Sequence, residues 1–141
     1  MKKLLALLLT LICTVGMVGC NNAEKESADT VNRVIGYSAI YSEELIGEAF
    51  NVVEKAFPAE FEGCVLTELR YDDEVENEFA SEIERYAKEN NQELIVILST
   101  FRTGDNSENG SLNPDDNYTE WEWRLVRTAD KKSWEIISQG N

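Results

Sequence analysis

The residues whose types and spacing could do chemistry lie mostly in the last third of the chain. Asp105 to Asp116 reads DNSENGSLNPDD and can be laid along a calcium-binding loop. Asp105 takes position 1, Ser107 position 3, Asn109 position 5 and Gly110 the tight turn. The carbonyl of Ser111 falls at position 7, Asn113 at position 9, and Asp116 where a bidentate glutamate usually sits. Calcium takes oxygen ligands around a glycine turn, so the residue types suit it. The context does not, because the flanks read as strands and not as the helices of an EF-hand. Ser107 also replaces a stronger ligand, and Asp116 is shorter than Glu. The preferred reading is a polar hairpin loop whose Gly and Asn residues supply turn geometry. No metal or cofactor is expected.

Trp121 and Trp123 stand two apart, with Tyr118 just before them and Trp134 further on. On a strand, side chains two apart share a face, so both indoles point the same way. They could form a stacking platform for sugars or a groove for a peptide. Aromatic residues dominate cores, however, and the preferred reading puts this face beneath the helices.

The chain contains no histidine. Imidazole acid–base catalysis, Ser-His-Asp triads and His-ligated zinc are therefore excluded together. Carboxylate pairs remain, but with 27 acidic residues many will be neighbours by chance. No phosphate-cradling glycine loop and no nucleophile-elbow pattern is present.

A different chemistry is written at the start. Lys2 and Lys3 precede an apolar run from Leu4 to Val18, which is shorter than the roughly 20 residues a membrane-spanning helix needs. The run ends in Met17-Val18-Gly19-Cys20, with a small residue before the cysteine. This resembles the lipobox of bacterial lipoproteins, with Met17 where Leu is usual. Bulky Leu11 and Ile12 before Cys13 make that cysteine a poor rival. The resemblance implies cleavage after residue 19, lipidation of Cys20, and a place on the extracytoplasmic face of the cell membrane. Two or more acyl chains would hold the domain there stably.

Loss of Lys2 and Lys3 leaves 11 basic residues against 27 acidic ones, a net charge of −16 for a mature chain of 122 residues. Such a surface repels phosphate backbones, so nucleic acid is not an expected partner. Basic proteins and small neutral or cationic ligands remain open, as does plain solubility. With Cys20 lipidated, Cys64 has no partner for a disulfide and reads as a small apolar residue.

The elements follow from periodicity. Residues 20–32 are polar and read as a tether; residues 33–141 suit one domain. Val34 to Tyr37 is expected as a short edge strand. Ser42 caps a helix whose apolar face runs through Leu45, Ile46, Ala49, Val52, Val53, Ala56 and Phe57, and Pro58 is expected to end it. Cys64 to Tyr71 reads as a strand, and Glu74 to Asn90 as one helix closed by Asn90-Asn91. Leu94 to Leu98 is a continuous apolar run, the mark of a central strand or one covered on both faces. After the polar Thr103–Tyr118 loop come strands at Thr119–Arg127 and Ser133–Ser138, joined by a turn at Asp130-Lys131-Lys132. The expected fold is α+β, with two helices on one face of an antiparallel sheet of about four strands.

The stretches YSEELI, FEGCVLTELRYDDE, IVILSTF and GSLNPDDNYTEWEWRLVR together resemble a module of Gram-positive, largely clostridial, proteins. It occurs there as small lipoproteins and at the end of some membrane-bound metallopeptidase-like regulators. The likeness covers most of Gly36 to Ile137, and its most specific part is Ser111 to Pro114 followed by Tyr118, Trp121, Trp123 and Leu125 to Arg127. The resemblance implies neither a reaction nor catalytic residues. By analogy the shape would be cystatin-like or close to the nuclear-transport-factor-2 fold.

These readings lead to an expectation of a non-enzymatic, lipid-anchored binding or sensing domain. Asn113, Tyr118, Trp121 and Trp123 are its candidate contact residues. The rival readings are a carboxylate-dependent hydrolase acting on envelope glycans and a structural envelope component.

Overall fold

The computed structural model describes residues 30–105, 111–128, 130 and 133–141. Cys20 and the segment before it lie outside the described residues, as do Ser107 and Asn109 and the lysines of the 130–132 turn. The order of elements is β1 (Asn32–Ile35), α1 (Glu43–Glu60), β2 (Val65–Tyr71), α2 (Asp73–Glu78), α3 (Ala80–Asn90), β3 (Gln92–Arg102), β4 (Asn117–Thr128) and β5 (Glu135–Gly140). The architecture is α+β. One sheet of five strands runs in the order β1-β2-β3-β4-β5, with β1 parallel to β2 and the other pairs antiparallel.

The central strand organises the rest. Leu94, Ile95, Val96 and Ile97 are fully buried, and Leu98 is nearly so. Alternate side chains of a strand face opposite ways, so five consecutive buried residues need cover on both sides. On one side, Ile97 pairs with Trp123 and Ile95 with Leu125, beneath α1. Phe57 of α1 lies 5.5 Å from the ring of Phe101 and 6.3 Å from that of Trp123. On the other side, Val96 pairs with Arg124 and Leu98 with Glu122. Arg124 bonds Glu82 of α3 at 2.9 Å and lies over the ring of Phe79 at 5.6 Å. The helices therefore sit on both faces of a mixed sheet, where two helices on one face of an antiparallel sheet were expected. The polar Glu122 and Arg124 obscured the second cover, because their charged ends pair with each other and with α3.

Local chemistry accounts for the remaining boundaries. The hydroxyl of Ser42 accepts the N–H of Leu45, as its cap position predicts. Pro58 does not end α1, which continues to Glu60. A proline in the last turn forfeits one backbone bond, and the N–H of Phe61 still reaches the Phe57 carbonyl at 2.8 Å. The rings of Phe57 and Phe61 stack 5.2 Å apart, so the extra turn carries a second aromatic side chain into the core.

The expected single helix after β2 is bent at Phe79 into α2 and α3. The N–H of Phe79 still bonds the Val75 carbonyl, and the N–H of Ile83 bonds that of Phe79, so the break is a kink in a continuous run. Asp72 caps α2 through Val75, and Asn91, in the left-handed region at φ 51°, closes α3 as its type suggests.

The edge strands differ from expectation by small shifts. β1 begins at Asn32, the last residue of the stretch expected as a tether, and the Asn32 amide bonds Glu68. β1 stops at Ile35 because the chain leaves the sheet at Gly36, where a Cβ would stand 2.7 Å from that of Asp72. β5 carries a bulge, with Ile137 as the additional residue between the Leu125 and Arg124 pairings. A short strand at one edge and a bulge at the other are both features that discourage pairing with a second sheet.

Phe57→Ala removes the side chain that seats α1 on Trp123 and Phe101. Chemical denaturation should show a loss of about 3–5 kcal/mol. A loss below about 1 kcal/mol would mean that α1 does not close this face.

Candidate functional site

The side chains singled out for chemistry are held by the end of β3, the start of β4 and the loop between them. Thr103 organises that loop and is 2 % exposed. Its hydroxyl donates to the Asn113 carbonyl at 2.6 Å and accepts the N–H of Asp116 at 2.8 Å. Its own N–H donates to the Asp116 carbonyl, and the N–H of Asp115 donates to that of Gly104. Pro114 sets the turn and Asp115 completes it in the left-handed region, at φ 52°. The hydroxyl of Tyr118 accepts the N–H of Asn113 at 2.9 Å, while its ring stacks on Phe101 at 5.3 Å. Residues Asn113 to Tyr118 thus form a clipped turn whose polar groups are occupied by one another.

This geometry redistributes the expected contact residues. Trp123 is fully buried and its indole N–H donates to Ser99 at 2.9 Å, so it belongs to the core and not to a contact surface. Trp121 is partly buried, edge-on to Phe61 and Phe101, and its indole N–H donates to the Gln139 side chain. Asn113 and Tyr118 remain near the surface but serve the turn. Asp116, the last position of the calcium alignment, is bound into the same turn. One carboxylate oxygen of Asp116 accepts the N–H of Asn117 and the other the amide of Asn113. Ser107 and Asn109 lie outside the described residues, so the loop offers Asp105, Ser111, Asn113 and Asp116 for comparison.

Immediately beside this loop the sheet is irregular twice at one place. In β2, Thr67 is the additional residue between the pairings Leu66–Phe101 and Glu68–Thr100. In β4, Thr119 and Glu120 both fall between the pairings Tyr118–Phe101 and Trp121–Ser99. Both bulges flank Thr100 of the central strand. Glu120 stands at φ 56°, a left-handed conformation that is unfavourable for a side chain of its size. Asp and Asn tolerate that region through local hydrogen bonds, whereas the Glu120 side chain makes no hydrogen bond or ion pair with another described residue.

The two bulges border a cleft of about 270 Å³ lined by Glu68, Arg70, Leu98, Thr100, Thr119 and Glu120. It lies on the α3 side of the sheet, as the pairings of Glu68 with Thr100 and Arg70 with Leu98 show. Asn32 donates to Glu68 at 2.9 Å, and Arg70 lies 3.5 Å from Asp72 and 3.7 Å from Glu74. Two carboxylates, one guanidinium and two hydroxyls line an apolar floor at Leu98. Such a lining can orient a small polar ligand, and its charge favours a neutral or cationic one.

Sequence reasoning missed this cleft. The signal was present in the spacing Tyr118 to Trp121. Both rings touch Phe101 although they stand three apart, which a regular strand forbids and a bulge permits.

Cys64 is half-buried and packs against the core, and burial raises its thiol pKa, which disfavours the nucleophilic thiolate. Among the described residues no group of three or more acidic or cysteine side chains is arranged to hold a metal ion, and no helix is long and apolar enough to cross a membrane.

Glu120→Gly should relieve the left-handed strain and stabilise the fold by roughly 1 kcal/mol. A fall in the urea midpoint would show that the Glu120 side chain contributes contacts that outweigh the strain.

No known family model, curated protein or solved structure matches the chain.

Proposed function

We propose that the chain is a lipid-anchored, extracytoplasmic binding or sensing domain, non-enzymatic, with the double-bulge cleft as its ligand-contact region. The observation that carries this reading is the convergence of two bulges and a backbone-strained Glu120 on one cleft. Residues held in unfavourable backbone conformations cluster at functional sites, and bulges re-aim side chains there. The address rests on the sequence: the lipobox-like Met17 to Cys20, the polar stretch after it and the acidic surface. The membrane partner is reached through lipid at Cys20, and the ligand is a small neutral or cationic molecule or a protein. Membership of the Gram-positive lipoprotein module belongs to the same proposal, supported by Ser111 to Pro114, Tyr118 and Trp121 to Arg127. The clipped turn gives Asn113, Pro114 and Tyr118 of that motif a structural role, so the motif supports kinship without naming a ligand. Neither fold analogy contributes, because shape does not specify function.

A second reading has one observation in its favour. Glu68 and Glu120 line the same cleft, as a carboxylate-dependent hydrolase of envelope glycans would require.

Both halves of the proposal can be tested on the exported protein. Mass spectrometry of the membrane fraction should find an acylated Cys20 as the first residue, and an unmodified N-terminus elsewhere would refute the anchor. A screen of small amines, amino acids and sugars by thermal shift should yield ligands whose stabilisation is lost in Thr100→Val with Glu120→Gly. Ligands that stabilise the variant equally would place binding elsewhere. Release of soluble fragments from cell-wall glycan that stops in Glu120→Gln would favour the hydrolase instead.

A further inference from the structure

The connection Gly36 to Tyr41 between β1 and α1 is held by one buried carboxylate. Glu76 of α2, only 9 % exposed, accepts from the hydroxyl of Ser38, from the N–H of Ala39 at 2.9 Å and from the hydroxyl of Tyr71 at 3.0 Å. The Ser38 oxygen in turn accepts the N–H of Ile40 at 3.2 Å and of Tyr41 at 2.9 Å. Burial, reinforced by the bond to Glu76, keeps the Tyr71 phenol protonated well above the ordinary tyrosine range. Tyr41 is buried beneath the segment, its hydroxyl donating to the Leu94 carbonyl at 2.7 Å and its ring edge-on to Trp134. Two side chains thus satisfy three successive backbone N–H groups, and the segment is fixed to the core at its end.

That fixed shape turns two apolar side chains outward. Tyr37 is 73 % exposed and Ile40 52 %, the most exposed large hydrophobic residues among those described. Acids occupy the starts of the two helices that this segment joins, α1 by direct continuation and α2 through Glu76. Glu43 and Glu44 form the first turn of α1, immediately after Ser42, and Asp73 and Glu74 the first turn of α2, beside Glu76. All four are exposed, and Arg70, the basic residue next to α2, is engaged by Asp72 and Glu74. A rigid aromatic anchor with an aliphatic neighbour and a charged rim is the anatomy of a protein-binding hot spot. The rim decides the partner's sign, as does the net charge of −14 over the whole chain.

We propose that Tyr37 and Ile40 form a preorganised platform for a basic peptide segment, which seats an apolar residue between them while its lysines or arginines meet the acidic first turns of α1 and α2. The platform shares no residue with the lining of the cleft; Glu74 of its rim pairs with Arg70 of that lining, and the variants that test the platform leave both in place.

The test uses the full chain in phosphatidylcholine nanodiscs and a fluorescent, lysine-rich peptide with two central leucines. Tyr37→Ala with Ile40→Ala should weaken binding at least tenfold without moving the melting temperature, since both side chains are exposed. Glu43→Lys with Glu44→Lys should weaken it several-fold and flatten its dependence on salt. An all-lysine peptide should bind the native chain at least tenfold more weakly than the leucine-bearing one. Equal binding of the two peptides, or native affinity in the Tyr37/Ile40 variant, would overturn the proposal. Binding that occurs in detergent but vanishes in the nanodisc would assign the platform to the lipid surface and overturn it as well.

Discussion

Five consecutive apolar residues in β3 impose the constraint on which the rest of this structure depends. A strand cannot hide Leu94 to Leu98 with cover on one side, because its side chains alternate across the sheet. Fully burying such side chains contributes roughly 1.5–3 kcal/mol each, enough to dictate where the helices must go. α1 covers the side carrying Ile95, Ile97, Trp123 and Leu125; α3 covers the side carrying Leu94, Val96 and Val126. The kink at Phe79 and the tight left-handed exit at Asn91 bring α3 back over the strand that follows it. The ion pair between Arg124 and Glu82 then joins that helix to β4.

The same constraint explains where the irregular features sit. α1 spans its side of the sheet as far as Phe61, which meets Phe101, Trp121 and Trp123. α3 is shorter and does not extend over the far half of the opposite side, where Glu68, Arg70, Thr100 and Glu120 replace apolar residues. Both bulges fall in that half, beside Thr100. They keep Tyr118 and Trp121 in the aromatic cluster on one side while bending the strands around a cleft on the other. Core packing and cleft geometry are therefore set by the same two departures from regular pairing.

Much of this was legible in the residues. The cap at Ser42, the stop at Asn91, the central position of β3 and the burial of Trp123 each follow from local type and spacing. The helices on both faces were legible in the Leu94–Leu98 run, but the alternation of Glu122 and Arg124 in β4 argued for a solvated face. The conflict is resolved by tertiary ion pairs, which a sequence does not display. Pro58 was misleading because the cost of a proline depends on its place in the helix, and one lost bond in the last turn is small beside a stacked Phe61. Glu76 was not legible at all: its partners Ser38 and Tyr71 are brought to it by the fold, and no spacing announces them. The cleft was half legible, since the three-residue step from Tyr118 to Trp121 marks a bulge but not the second one at Thr67.

Native-state hydrogen exchange across the sheet tests the central claim most directly. If β3 is covered on both faces, the amides of Leu94 to Leu98 exchange only through global unfolding, with the full stability of the domain. The amides of β1 and β5, at the two edges, exchange earlier through local opening. Exchange of Leu94 to Leu98 as fast as that of the edge strands would contradict the two-sided cover and the account built on it.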